Sequence, residues 1–338
     1  MPAGAEAGQG PDAGTRTARR VAAVVFWALN AVAGAALLAV CLATGLGFLG
    51  HWVRFFDLLG QPRLQYALLL ALGACLALLR RRGRAAVALV GFAVVNLTPV
   101  APLYWRDAPA AAAGPVYRVA AFNLEIDNCG DPAALAYLRA SGADFLALVE
   151  VTPCWHEALA QLAPQYPYQY GEPRPDHWGG LVLSRRPFLG TGTLRLTPTG
   201  WPHIAARVDL DGRPFTLVAV HPPPPVAPPT WNEHQAQLDG LAGWLPAQAG
   251  TLMVCGDFNL ATWSAPLGGF QLATDLRDSR RGFGLQASWP VGLPLMRMPI
   301  DHCLASPDVT VHAFNTGPAT GSDHYPIAVD FAVTGARP

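Results

Sequence analysis

The sequence predicts an α/β domain, two packed sheets covered by helices on both outer faces, set behind three transmembrane helices. Three observations predict it. Uncharged apolar runs crowd residues 21–105, whereas beyond residue 115 short strand-like runs alternate with stretches of helical spacing. Asp211-Gly212 stands between two apolar runs, a hairpin signal, so the sheets are expected to be mixed. A two-sheet sandwich covered by helices on both outer faces, four layers in the order α-β-β-α, satisfies that pattern.

The front third accounts for the composition. The 338-residue chain is 51% hydrophobic and only 14% charged, against about 25% charged in ordinary soluble domains. Residues 1–20, rich in Ala, Gly and Pro, predict a disordered cytoplasmic tail, and residues 21–105 a membrane anchor. Val21 to about Gly47 carries no charge, Leu64 to Leu79 follows, and a third run extends from Ala85 to about Tyr104. A run of about 20 apolar residues suffices to cross a bilayer, and the first is longer than the core of a signal peptide. Arg16, Arg19 and Arg20 precede the first run, and Arg80, Arg81, Arg82 and Arg84 separate the second from the third. The positive-inside rule puts both clusters in the cytoplasm. Three crossings then make a multi-pass protein of the cell membrane whose C-terminal domain is extracytoplasmic. Localisation hangs on the middle run, because the parity flips without it.

Residues 106–115, ending in Gly114-Pro115, read as a linker, and 116–333 as the folded domain. Its strands are expected at Val116–Phe122, Asp144–Val149, Gly180–Ser184, Ile204–Leu210, Phe215–Val220, Thr251–Cys255, Pro299–Ala305, Val309–Asn315 and Pro326–Ala332. Asp131-Pro132 marks a helix start, and further helices are expected from Thr152 to Leu162 and from Trp231 to Leu245.

Polar residues gather where these strands end. Asn123 closes the first strand and Glu150 the second. Gly256-Asp257-Phe258-Asn259 follows a buried run, Asp301 and His302 head another, and Ser322-Asp323-His324-Tyr325-Pro326 precedes the last strand. Singly each is weak: Asn123 has the look of a turn former, Asp257 and Asn259 of an Asx turn, and Asp323 with His324 of a surface pair. Jointly, Asn123, Glu150, Asp257, Asn259, Asp301, Asp323 and His324 suit one hard cation and one phosphoryl group. Carboxylate and amide oxygens favour Mg2+ or Mn2+ over zinc, which prefers His and Cys. His302 falls on the opposite face of an extended segment from Asp301 and reads as structural. His221 ends a strand and heads a stiff polyproline loop, Pro222 to Pro229.

In this order the strings resemble the endonuclease/exonuclease/phosphatase superfamily, the DNase I-like fold, over residues 116–333. Gly-Asp-Phe-Asn and Ser-Asp-His-Tyr-Pro carry most of the likeness, and the three apolar runs with Trp289-Pro290 resemble its membrane-anchored bacterial branch. The resemblance implies Glu150 as the main metal ligand, with Asn123 beside it and Asp323 supporting the metal side. It implies that Asp257 positions or deprotonates the attacking water, that Asn259 bonds the phosphoryl oxygens, and that His324 pairs with Asp301. His221 matches a second histidine that contacts phosphate or assists the leaving group. Val220 precedes it where Thr or Ser is common, and no acidic partner for it is legible.

The expected activity is metal-dependent hydrolysis of a phosphoester, which a membrane lipid could carry. Residues 115–338 hold 13 arginines against 19 acids, leaving −6 with histidines neutral, which disfavours tight binding of duplex nucleic acid. An extracytoplasmic nuclease using the same site is the alternative, and a catalytically inactive binding domain a third. Cys129 and Cys154 lie in loops after two site strands and are expected to pair if the domain is exported. Cys255 and Cys303 are expected to be buried, and most tryptophans beyond the linker to pack in the core or against helices, with a lipid headgroup contact near the polyproline loop as the alternative.

Overall fold

The computed structural model describes residues 13–105 and 114–334. The expected linker lies for the most part outside the described residues, as do residues 1–12 of the expected tail. Helix α1 (Ala13–Gly47) begins inside that tail, ahead of the apolar run. It is followed by α2 (Arg54–Gly60), α3 (Arg63–Leu79) and α4 (Gly83–Leu97).

Among the described residues, α1 alone is by itself long and apolar enough for a crossing: Arg19–Gly47 is a 29-residue stretch whose most apolar part has no buried residue. The expectation of three spans is corrected here. α3 has 17 residues and α4 has 15, which at ~1.5 Å per residue fall short of a ~30 Å hydrocarbon core. α4 stops at Leu97, since Pro99 has no N–H with which to continue the helical ladder, and the chain then turns through Pro102. α2 and α3 together are long enough, but they meet at 57° around Gln61 and Pro62. α3 and α4 form a hairpin against the C-terminal part of α1. Arg80 bonds Asn30 at one end of it, and Asn96 Nδ2 donates to Thr44 Oγ1 at 2.8 Å at the other.

The domain runs β1 (Tyr117–Asn123), α5 (Pro132–Ala140), β2 (Phe145–Val149), α6 (Pro153–Leu159), β3 (Tyr168–Glu172), β4 (Gly180–Ser184), β5 (Phe188–Arg195), β6 (Pro202–Asp209) and β7 (Pro214–Val220). It continues through α7 (Pro228–Trp244), β8 (Thr251–Asp257), α8 (Ala265–Thr274), β9 (Arg277–Asp278), β10 (Asp301–Ala305), β11 (Val309–Thr316) and β12 (Ile327–Val333). One sheet has the order β11-β12-β1-β2-β4-β3 and the other β5-β6-β7-β8-β10-β9. β1 with β2 and β7 with β8 are parallel; the other pairs are antiparallel.

Side-chain alternation builds three cores. Val119, Ala121, Phe145, Phe215, Leu217, Met253 and Phe331 fill the space between the sheets. Phe122, Leu146 and Leu148 face outward onto Leu138, Trp155 and Leu159 of the α5–α6 layer. Val218, Leu252 and Val254 face outward onto Leu238, Leu241 and Leu267 of the α7–α8 layer. The expected four layers are present, and the central strands are near-continuously apolar because both their faces are covered. Asp131 caps α5 as its sequence implies, Oδ1 accepting from Ala133 N at 2.8 Å and Ala134 N at 2.9 Å.

Cys129 and Cys154 are bridged, the pairing expected on condition of export. Cys255 and Cys303, buried as expected, also form a disulfide between register partners of β8 and β10. Alkylation of the unreduced, denatured protein is expected to modify Cys41 and Cys75 alone. Peptide mass mapping that finds any of the other four alkylated removes the corresponding bridge.

Candidate active site

Period-two alternation decides what meets at the rim. Val119 and Ala121 point between the sheets, so Asn123 does too; Met253 and Cys255 carry Asp257 to the same side. Leu217 and Ala219 bring His221 there, and Cys303 brings Asp301. Asn123 is level with Val149, just before Glu150, and Asp257 faces Asp301 in register. Gly256 is required where β7 and β8 close in: its φ is +145°, and a Cβ there would lie 2.0 Å from the Val220 carbonyl oxygen.

Asn123 bridges the two acids, its Nδ2 donating to Glu150 Oε1 at 3.0 Å and to Asp257 Oδ2 at 3.2 Å. Glu150 sits at φ +57°, a costly conformation for a non-glycine residue that turns its carboxylate into the cleft. Its Oε2 accepts from Ile126 N at 3.1 Å and lies 3.2 Å from His177 Nδ1. Asp257, 1% exposed, is the hub. Its Oδ1 accepts from Asn259 N at 2.8 Å, and its Oδ2 is 3.5 Å from both His221 Nε2 and His324 Nε2. Those contacts supply the acidic partner for His221 that the sequence did not disclose. His221 Nδ1 donates to the His177 carbonyl at 3.1 Å, and Trp178 packs on its ring.

His324 Nδ1 donates to Asp301 Oδ2 at 2.8 Å, the expected pair. Burial works against a charged imidazole here, but Asp301 and Asp257 outweigh it and hold the His324 pKa up at about 10. Burial likewise opposes ionisation of Asp257, and the two histidines outweigh it and lower its pKa. His221 is raised, burial being overcome by Asp257 and Glu150.

Two expected residues make bonds that the resemblance did not imply. Asn259 spends an N–H on the Pro222 carbonyl at 3.0 Å and so fastens the polyproline loop. Asp323 lies at the outer lip; its Oδ2 accepts from Trp289 Nε1 at 2.8 Å, and its carboxylate faces His324 at 3.8 Å. Its backbone N–H donates to Glu125 Oε2 at 3.0 Å. Glu125 and His177 are rim residues that the sequence did not single out, and Trp289, noted there only for the Trp289-Pro290 step, joins them. Glu125 carried a usable signal, since it closes the strand-end string Phe122-Asn123-Leu124-Glu125. His302 faces away as expected. It accepts from Arg280 at Nδ1 (2.8 Å) and donates from Nε2 to the Leu260 carbonyl at 2.7 Å. Arg280 also donates to the Asp301 carbonyl. A fully buried layer therefore braces both Asp301 and the strand end after Asn259.

The ligand atoms of Asp257, Asp301 and His324 lie within 4.8 Å of one another. The mutual bond of Asp301 and His324 takes up Oδ2 and Nδ1, and Asn123 Oδ1 accepts from Glu125 N at 3.1 Å, with the carboxylates of Glu150 and Asp257 as the further hard oxygen donors beside them.

The model for "Endonuclease/Exonuclease/phosphatase family" matches residues 120–324. A humanized TDP2 from D. rerio is similar at 18% identity and TM-score 0.56, over 64% of this chain and 99% of that one. An endonuclease/exonuclease/phosphatase from Beutenbergia cavernae is similar at 20% identity and TM-score 0.54, over 66% of this chain and 73% of its own. D. rerio TDP2 complexed with single-strand DNA product is similar at 17% identity and TM-score 0.55, over 65% of this chain and 100% of that one. No curated protein sequence matches.

Proposed function

The chain belongs to the endonuclease/exonuclease/phosphatase family, and from that premise we propose that it is a membrane-tethered, divalent-metal-dependent phosphoesterase that cleaves its substrate by attack of water. The observation that carries the reading is one buried carboxylate, Asp257, flanked by two imidazoles and joined through Asn123 to a second carboxylate. Two acids sharing one amide donor form an oxygen-rich, net-negative seat that suits Mg2+ or Mn2+. Glu150 and Asn123 would hold the ion, with Asp323 reaching the same side from the lip. When bound, the ion supplies charge neutralisation at a phosphoryl oxygen.

The residues divide the remaining work. Asp257 accepts the proton of the attacking water as its oxygen bonds to phosphorus. His324, kept charged by Asp301, donates to a phosphoryl oxygen. His221, facing Asp257 across the cleft, returns a proton to the leaving oxygen as its bond to phosphorus breaks. Asn259 holds the wall beside them. The tether rests on α1, whose Val24, Trp27, Leu29, Val32 and Leu38 are all more than half exposed and need lipid as their solvent. With Arg19 and Arg20 at its cytoplasmic end, one crossing puts the domain outside. Both disulfides support that side.

Chelation is expected to abolish hydrolysis of an activated aryl phosphoester, and Mg2+ or Mn2+ to restore it. Glu150→Gln is expected to raise the half-saturating metal concentration about 100-fold. An unchanged metal requirement in that variant would remove Glu150 from the seat. A nuclease is the second reading. Trp178 stacks on Trp201 at 4.0 Å beside His221, a surface on which an unpaired base can lie. Cleavage of single-stranded DNA at physiological salt, with no turnover of other phosphoesters, would decide for it.

A further inference from the structure

A buried polar cluster outside the cleft joins the anchor to the domain. Asp57 of α2 is buried; its Oδ2 accepts from Gln61 Nε2 at 2.7 Å and from Ser264 Oγ at 2.8 Å, and its Oδ1 accepts from Ala265 N at 2.8 Å. Ser264, the N-cap of α8, makes no cap bond of its own. The anchor therefore supplies the anion at that helix N-terminus. Gln61 Oε1 accepts from Ala261 N at 2.7 Å, and Trp263 Nε1 donates to the Gly60 carbonyl at 2.9 Å. The domain grips the same loop independently, through His302 on Leu260 and Arg280 on Thr262. The anchor contacts are thus not what keeps Asp257 and Asn259 in place.

What they set is direction. Gln65, in the first turn of α3, donates to the carbonyls of Leu295 at 3.1 Å and Arg297 at 3.2 Å. Because α3 runs back along α1, the 293–297 loop lies beside the C-terminal end of α1, not beyond it. Trp52 is 70% exposed there, with Leu293 at 59% and Leu295 at 74%. Val226, at 66%, continues the patch on the polyproline loop, where Pro225 shares a recess with Arg54 of α2. These loops are also walls of the cleft: one leaves His221, and the other leaves Trp289, which holds Asp323. These exposed apolar residues stand on loops that tie both to the anchor and to the lip of the cleft.

We propose that Asp57 and Gln61 form a latch that seats this apolar patch in the leaflet where α1 ends, so that the cleft opens among lipid headgroups and takes phosphoesters carried by lipids of that leaflet. The inference rests on the tethered phosphoesterase reading and names its substrate class. An interfacial patch of Trp and aliphatic side chains is stable at that depth and unstable in bulk water.

The test uses the full chain in phosphatidylcholine vesicles containing a doxyl-labelled lipid, with an environment-sensitive dye on one cysteine. The reporter is Leu293→Cys with Cys41→Ala and Cys75→Ala; the control carries the dye on native Cys41 with Cys75→Ala. Both dyes are expected to be quenched. In the Asp57→Ala, Gln61→Ala variant the Leu293 signal is expected to lose roughly half its quenching. The Cys41 signal stays, and turnover of a soluble aryl phosphoester stays within about two-fold. Ser264→Ala, which removes one bond from the domain side, gives a smaller loss and serves if the double variant does not fold. An unquenched Leu293 dye beside a quenched Cys41 dye, or quenching indifferent to the latch, overturns the inference alone. An unquenched Cys41 dye overturns the tether beneath it, and absence of soluble turnover in the parent overturns the enzyme.

Discussion

Asp257→Asn is expected to leave a folded protein whose phosphoester hydrolysis is reduced about a thousand-fold or more. The carboxylate is a shared acceptor: Asn259 N on one oxygen, Asn123 Nδ2 and two imidazole nitrogens around the other. An amide keeps the shape but offers one acceptor oxygen and replaces the other with a donor, so it either loses Asn259 or opposes Asn123. It also cannot take the proton of water. Loss of that charge weakens the case for protonated His324 as well, since Asp257 is one of the carboxylates that hold its pKa near 10. The fall is expected in kcat with KM little changed, because a proton acceptor acts in the transition state. Parent-level turnover in a variant whose melting and circular dichroism match the parent would mean that the catalyst lies elsewhere.

Arg280→Ala is expected to have the largest effect on stability, about 3–5 kcal/mol. The guanidinium is fully buried and faces Asp278 Oδ2 at 3.4 Å, Thr262 Oγ1 at 3.0 Å and His302 Nδ1 at 2.8 Å, with its flat face 4.7 Å from the Phe314 ring. Burial opposes the charge on Asp278, and Arg280 is the chief group that overcomes it and holds that carboxyl well below its usual range. Truncation therefore strands an anion inside the protein and opens a cavity at once. Pairing Arg280→Met with Asp278→Leu is expected to recover most of the loss, because an apolar pair of similar volume often replaces a buried ion pair at little cost. Chemical denaturation with a two-state fit would read both, and a loss under about 1 kcal/mol for Arg280→Ala would show that the pair is solvated after all.

Much of this molecule could be read from the chain, for identifiable reasons. The central strands are apolar on both faces, so their ends are sharp and the polar residues that follow them stand out: Asn123, Glu150, Asp257, Asp301. Parity then sorted Asp301 from His302 before any coordinates did. The edge strand β5, Phe-Leu-Gly-Thr-Gly-Thr-Leu-Arg, was not expected, because its half-exposed faces and two glycines blur the alternation. α8 was hidden by Gly268-Gly269 in its middle and by a cap supplied from Asp57, distant in sequence. His177 was illegible because its loop has no period at all; only the fold carries it to Glu150. Apolar length overstated the anchor, since composition alone does not register that Pro62 and Pro99 bend or end helices.

The order in which the sheets are threaded has a consequence for how the molecule comes into being. The chain lays down β1 to β4, leaves to complete the entire second sheet, and only then returns with β11 and β12 to close the first. β1 must wait for its antiparallel neighbour until every other strand has been synthesised. His324 arrives on the same returning segment, so a nascent chain holds Glu150 and Asp257 long before it holds a working cleft. Such long-range closure is slow, so the cleft is among the last parts of the domain to be completed.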